Sequence, residues 1–312
     1  MKRLILAAAM TAIGFSAACA RDDASADAPV LSHTEEVMAW REGRLDRLTA
    51  PQGYLNLVGL FWLKPGVYTF GSGADNDLVF PRANDASIGT FEFTAEGVTM
   101  TVNDGVDVRV DDVSVGTVLM PDDTQEDTAI ATHGTLVWAI IKRQDMVGIR
   151  LYDTENPAAA NLPPIPQYDI DESWRVPARL RLYDEPRVAN VGTVVEGLGY
   201  NPTTPGVLEF EIDGETHTLE AYESSNNQLF IVFGDRTSGR ETYPAARFLY
   251  TDAPGEGDGG MTVLDFNKSY NPPCAFNDFS TCPVASPRNR LPIEVTAGEK
   301  YIDALHVGVA SR

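Results

Sequence analysis

Residues 207–221, VLEFEIDGETHTLEA, give the clearest fold signal in the chain. Val207–Ile212 and Thr216–Ala221 are short runs suited to β-strands, and the Asp213-Gly214 dipeptide between them is typical of a two-residue hairpin turn. Similar short runs, separated by Gly, Pro, Asn and Asp, extend along the chain in both directions. Strands of this length with regular turn signals predict a mainly β protein with two antiparallel β-sandwich-like halves.

One long helix is expected before the strands. Ser32-x-x-Glu35 is a capping box, and it predicts a helix that runs to about Leu48 and ends before Pro51. One side of this helix would carry Met38, Arg41, Leu45 and Leu48.

A segment with four prolines, residues 157–166, marks a natural boundary. We therefore expect residues 32–156 to form the helix plus the first β-sandwich. Residues 167–312 would form a C-terminal β domain. In the first of these, Gln144-Asp145 predicts the turn of a hairpin between residues 136–142 and 147–152.

The amino terminus predicts export. A basic start, Met1-Lys2-Arg3, precedes an apolar run from Leu4 to Phe15 and then small residues up to Ala20. This order is typical of a secretory signal peptide over residues 1–20. The apolar run is too short to span a bilayer comfortably, although a membrane anchor is the alternative. Residues 21–31 are polar and aperiodic, which favours a flexible tether.

Cys19 indicates a bacterial lipoprotein in the periplasm or outer cell envelope, because small residues precede it. In that case a lipid attached to Cys19 would tether the folded part to a membrane. Ser16 stands where leucine is expected, and ordinary cleavage after Ala20 is the alternative.

The charge of the chain limits its partners. With 24 Lys and Arg against 45 Asp and Glu, the net charge is −21. This argues against nucleic acid, which needs a basic surface. It also disfavours direct binding to anionic lipid, so a membrane contact is expected only through a lipid anchor.

An irregular stretch, residues 264–291, carries polar, aromatic and proline residues together with two cysteines. Cys274 and Cys282 are expected to form a disulfide if the protein is exported. Its main effect would be to hold the Pro-Pro-Cys-Ala-Phe loop in one shape. A metal site is disfavoured because no His or further Cys stands at zinc spacing. A reactive thiol stays open.

Charged and polar residues of the C-terminal block are the candidate site. They could line a pocket for a polar or anionic ligand, or they could form structural ion pairs, which we favour because such networks are common without function. The candidate residues are Asp235, Arg236, Glu241, Tyr243, Arg247, Asp265, Asn267, Tyr270, Asn271, Arg290, Glu299 and Lys300.

Two functions are compatible with these residues. The first is a binding or structural module of the cell envelope with a polar pocket for an unknown small polar or anionic ligand. The second is a carboxylate-dependent hydrolase, acting for example on a glycan, in which two acids flank the bond. The four histidines lie outside the candidate block, and no nucleophile elbow or P-loop is present. We expect no cofactor and no metal.

Two family resemblances follow from motifs. Gly234-Asp235-Arg236-Thr237, the Asp265–Cys274 block, Asn289-Arg290-Leu291 and Ala297-Gly298-Glu299-Lys300 resemble a bacterial family known as domain of unknown function 1684. The resemblance begins at Trp40-Arg41 and implies a similar fold and export, but no activity. Separately, Gly71-Ser72 and Asn76-Asp77-Leu78 resemble a degenerate forkhead-associated sandwich. Ser72 and Thr90 replace the phosphate-binding Arg and His of that family, so the shape would be kept without the phosphopeptide binding.

Overall fold

The computed structural model describes residues 31–255, 257 and 259–306. The predicted signal peptide, Cys19 and most of the predicted tether lie outside the described residues. The described residues form helices α1 (His33–Thr49) and α2 (Pro157–Ala160). Short 3-10 turns lie at Tyr54–Asn56, Glu172–Trp174, Phe266–Lys268, Pro273–Ala275, Pro287–Asn289 and Asp303–Leu305.

Strands account for most of the remaining regular structure, which confirms the mainly β prediction. In chain order they are β1 (Leu57–Leu63), β2 (Gly66–Gly71), β3 (Leu78–Val79), β4 (Gly89–Thr94), β5 (Gly97–Val102), β6 (Arg109–Val110), β7 (Val113–Ser114), β8 (Thr117–Met120), β9 (Ile130–His133), β10 (Leu136–Arg143), β11 (Met146–Asp153), β12 (Arg175–Val188), β13 (Val191–Gly192), β14 (Gly199–Tyr200), β15 (Thr203–Ile212), β16 (Glu215–Ser224), β17 (Gln228–Phe233), β18 (Arg247–Asp252) and β19 (Met261–Asp265).

The first half is a sandwich of two sheets. One has the strand order β1-β11-β10-β9-β6-β7 and the other β3-β2-β4-β5-β8. Their inner faces share one apolar core, in which Phe70 packs on Phe91 at 4.2 Å between ring centroids and edge-on to Trp138. The β10–β11 hairpin turns at Gln144, whose φ of 54° is left-handed, as the sequence predicted.

The second half has a six-stranded antiparallel sheet with both faces covered, and a two-stranded sheet of β13 and β14. The order of the six-stranded sheet is β18-β17-β16-β15-β12-β19. The predicted hairpin turn joins β15 to β16, and Asp213 and Gly214 have φ values of 53° and 79°. Along β17, Leu229, Ile231 and Phe233 enter one apolar cluster, whereas Phe230 and Val232 enter a second cluster on the other face.

Each face of this sheet is covered by the C-terminal segment. Leu291, Val295 and Ala297 cover the first cluster, and Cys274 and Cys282 lie in the second. The irregular stretch and the residues that follow it, up to Ala297, therefore cover both faces of the sheet. We call this segment the C-terminal lid.

Helix α1 begins as predicted, since Ser32 and Glu35 form both bonds of the capping box. Its buried side differs from the prediction. Met38 and Leu45 are 56% and 45% exposed, whereas His33, Val37, Arg44 and Leu48 are buried. This happens because the helix lies against the second half, where polar groups receive Arg44. No helix within the described part of the chain is long and apolar enough to cross a membrane.

Candidate functional site

Asp235 and Arg247 form a closed ion pair with both side chains fully buried. Arg247 also donates to the carbonyls of Ala297 at 2.7 Å and Val295 at 3.0 Å. Asp235 accepts from the backbone N–H and hydroxyl of Thr237 at 2.7 and 2.6 Å. These contacts fasten the C-terminal segment to β18, so the pair stabilises the fold and faces no ligand.

Asp265 is the anchor for the start of α1. Its Oδ2 accepts from His33 Nε2 at 3.0 Å and lies 3.6 Å from the Lys268 ammonium. Its Oδ1 accepts from the side chain of Asn267 at 3.0 Å, and Asn267 in turn bonds both backbone groups of Asp171. Both predicted residues therefore join separate segments of backbone.

Glu299 lies buried against Arg44 of α1. Its Oε2 accepts from the Asn271 backbone N–H at 2.7 Å, and its Oε1 lies 3.6 Å from Arg44 Nε. Arg44 also donates to the Asn271 carbonyl at 3.0 Å. Burial raises the pKa of the Glu299 carboxyl, while the Arg44 charge opposes that rise. A groove of about 990 Å³ between α1 and residues 159–167 reaches both side chains.

Three further candidates, Glu241, Tyr243 and Lys300, each contact one or two neighbouring side chains or carbonyls. Lys300 pairs with Glu241 at 3.1 Å and lies over the Tyr168 ring, 4.3 Å from its centroid. The Tyr243 hydroxyl donates to the Cys274 carbonyl at 2.9 Å.

The twelve predicted residues therefore do not line one open pocket. Arg236 and Arg290 are exposed, and Tyr270 alone among them borders the cleft described below. The rest form separate buried or partly buried contacts, in line with the structural alternative considered from sequence.

The predicted Cys274–Cys282 disulfide is not present, since both residues are free, buried thiols. The pair is nonetheless in contact, because the Cys274 backbone N–H donates to Cys282 Sγ at 3.1 Å. This bond and packing around Tyr222 and Phe248 hold the loop without a crosslink. Burial and the neighbouring Cys274 raise the pKa of the Cys282 thiol, which keeps it protonated and poorly nucleophilic.

A cleft that the sequence did not predict lies where α1, both halves and the C-terminal lid meet. We call it the arginine–tyrosine cleft. It consists of two cavities, of about 620 and 260 Å³, that share Tyr54, Phe230, Phe248, Tyr250 and Pro273. The larger also has Trp40, Arg44, Arg47, Asn226, Gln228 and Tyr270. The smaller adds Arg143, Arg150, Thr193, Leu198, Gly199, Tyr200, Ser280, Thr281, Cys282 and Pro283.

Aromatic rings form much of the cleft wall. Tyr250 stacks on Phe230 with 4.8 Å between centroids, and it lies nearly parallel to Tyr270, at 12° and 6.5 Å. Trp40 contacts the same Tyr270 ring at 5.9 Å. Arg44 lies over the Tyr270 ring with its guanidinium carbon 4.6 Å from the centroid. These contacts fix the rings and one cation before any ligand arrives.

The charge of the cleft is opposite to that of the chain. Four arginines line it, and no described residue that lines it is Asp or Glu. Arg143 is compensated by Asp123 at 2.8 Å, and Arg44 is partly compensated by Glu299. Within the described residues, Arg47 and Arg150 have no carboxylate at ion-pair distance. Two positive charges therefore stay available to an anion.

The tyrosine hydroxyls of the cleft are neutral donors. Burial raises the pKa of Tyr200 to about 12, and it also raises the pKa values of Tyr250 and Tyr270. A phenol that stays protonated at neutral pH can donate to an oxyanion.

Local sequence contains one signal for this cleft. Trp40, Arg44 and Arg47 stand at i, i+4 and i+7, which places them on one face of α1. Apart from Tyr54, the other lining residues come from distant segments, so only the folded chain brings them together.

Known proteins provide a family but no activity. Residues 160–300 match the model of a family described as "Protein of unknown function (DUF1684)". No curated protein matches the chain. The solution NMR structure of an uncharacterized protein from Haloarcula marismortui is 28% identical with a TM-score of 0.38, over 45% of this chain and 81% of that one. The chemistry of the site therefore has to be argued from its geometry.

Proposed function

We propose that this chain, whose residues 160–300 belong to the DUF1684 family, is an exported binding module that holds a small anionic ligand in the arginine–tyrosine cleft. The observation that carries the proposal is the local reversal of charge. In a chain with net charge −21, the described lining of the cleft has four arginines and no carboxylate. Such a lining attracts anions in a protein that otherwise repels them.

The arrangement of the cations supports binding. Arg44 is held by the Asn271 carbonyl and the Tyr270 ring, so little side-chain entropy is lost when it meets a ligand. Arg47 and Arg150 supply further guanidinium donors, which match the paired oxygens of a carboxylate or phosphate.

The geometry favours binding over the carboxylate-dependent hydrolase. That mechanism needs two acids beside one bond. Asp235 forms an ion pair with Arg247, and Asp265 contacts both His33 and Lys268. Glu299 contacts Arg44. None of these three carboxylates borders the cleft.

Export and lipid anchoring enter the proposal from the sequence alone, through residues 1–20 and Cys19. In an oxidising compartment, the proximity of Cys274 and Cys282 suits a disulfide that forms by exchange with a donor protein disulfide before folding buries the two thiols. The two thiols would lose two protons and two electrons, and the donor would leave as a dithiol. The resulting crosslink would fix the lid beside the cleft.

The proposal is tested by identifying the anion that the protein carries through purification. The full chain is purified under native conditions, and molecules released on denaturation are identified by mass spectrometry. We expect a small anion with the wild type, its loss from the Arg47→Gln/Arg150→Gln variant, and its retention by Arg240→Gln. Arg240 is an exposed arginine paired with Glu294 outside the cleft, so it is the matched control. No anion with the wild type, or equal retention by both variants, contradicts the proposal.

A further inference from the structure

We infer that the ligand of the arginine–tyrosine cleft is a planar aromatic ring that bears an anionic group, such as an aryl phosphate or aryl carboxylate. The inference rests on the proposed function and adds the chemical class of the ligand. It is carried by the exposed rings, by the surplus of hydrogen-bond donors and by the size of the cleft.

The rings offer free faces or edges to a ligand. Tyr54 and Tyr250 are 40% and 41% exposed, and Trp40 and Tyr270 are half-buried. These four side chains come from α1, the turn after it, β18 and the C-terminal lid. Since Tyr250 is already aligned with Tyr270 and Phe230, these rings are ordered. Ring–ring contact adds free energy beyond the buried area, and an ordered wall lowers the entropy cost of making it.

The anion would lie at the arginine end of each cavity. Arg47 lines the larger cavity together with Trp40 and Tyr54, and Arg150 lines the smaller one together with Tyr200. A guanidinium group donates two parallel N–H bonds, which suits the oxygens of phosphate or carboxylate. One ligand could thus place its ring on the tyrosines and its charge on an arginine.

The donor–acceptor balance separates an aromatic anion from a sugar. Sugar hydroxyls donate as well as accept, so sugar sites need acceptors. Carboxylates are the strongest acceptors among side chains, and they are missing from the described lining. Guanidinium groups and protonated phenols are mainly donors here. A ring with an anionic substituent offers hydrogen-bond acceptors to the protein and needs no acceptor from it.

The dimensions agree with a small ligand. The larger cavity, about 620 Å³, lies within the usual range for small-molecule sites. The smaller one, about 260 Å³, adjoins it and leaves room for a second substituent.

Calorimetric titration of the full chain with four probes tests the class of ligand. The probes are phenyl phosphate, cyclohexyl phosphate and inorganic phosphate, with glucuronate as the sugar acid. We expect phenyl phosphate to bind about tenfold more tightly than cyclohexyl phosphate, because two ring contacts at roughly 0.5–1.5 kcal/mol each are lost with the flat ring. Tyr250→Leu should reduce that ratio to about twofold. Tyr54→Leu is the second variant, since Tyr250 lies in a strand. Tyr183→Leu, a tyrosine on β12 outside the cleft, should keep the full ratio.

Each outcome decides between the two proposals. Equal binding of the phenyl and cyclohexyl esters, or tighter binding of glucuronate, overturns the aromatic class and leaves anion binding intact. If none of the probes binds and the native protein carries no anion, the proposed function fails with it. An aromatic preference that survives both Tyr54→Leu and Tyr250→Leu places the ring elsewhere and also overturns the inference.

Discussion

Replacing Arg247 with methionine should be among the most destabilising single changes in the second half. The substitution keeps a long, flexible side chain but removes the charge and its donors. Asp235 then stays fully buried without its cation, although it keeps two bonds from Thr237. Two backbone carbonyls, those of Val295 and Ala297, also lose a donor.

The magnitude follows from these losses. Removing one partner of a buried ion pair costs about 3–5 kcal/mol. Because Thr237 still solvates the Asp235 carboxylate, we expect the lower end, about 3 kcal/mol. With a urea m-value of about 3 kcal/mol/M, the unfolding midpoint of this half should fall by roughly 1 M.

Urea unfolding followed by circular dichroism measures this shift. Arg236→Met is the matched control, since Arg236 is exposed and its loss should change the unfolding free energy by about 0.5 kcal/mol or less. The double variant Asp235→Leu/Arg247→Met should recover part of the loss, because an apolar pair replaces the orphaned charge. If Arg247→Met shifts the midpoint no more than Arg236→Met does, the ion pair does not hold the C-terminal segment to β18.

Three further predictions concern the lid. Asp265→Asn should leave secretion intact and lower thermal stability by about 1–3 kcal/mol, because a neutral amide holds His33 and Lys268 less well. The exposed control Asp278→Asn should keep the thermal stability of the wild type. Equal melting temperatures of the two variants would refute the anchoring role of Asp265. Burial raises the pKa of Glu299 above its ordinary 4.5, so its contribution to stability is full below about pH 4.5 and is lost as pH rises through the raised value; Glu299→Gln should flatten this fall in unfolding curves at several pH values, and parallel curves would refute it. Alkylation of Cys282 by iodoacetamide should be slow until denaturant is added, because the thiol is buried and its pKa is raised; rapid labelling of the native protein would show an open lid.

Local features of the fold could be predicted because their physics is local. The capping box fixed the start of α1, and Asp213-Gly214 fixed a hairpin whose two turn residues need left-handed backbone. The buried side of α1 could not be predicted in the same way. Arg44 is buried because Glu299, Asn271 and the Tyr270 ring receive it, and these partners lie more than two hundred residues away. Met38 and Leu45, which the sequence put on one side of the helix with Leu48, are exposed, whereas Leu48 is buried.

The same argument explains why the charged residues of the C-terminal block do not line one open pocket. Charges that cluster in sequence tend to find partners nearby, as Asp235 does with Arg247 and Asp265 with Lys268, and once paired they no longer attract a ligand. A binding charge is one whose partner is missing after folding, which only the assembled surface reveals. Arg47 and Arg150 fit this description: they stand far apart in the chain, one on α1 and the other on β11. The fold brings both to one cleft without bringing a carboxylate to either of them among the described residues.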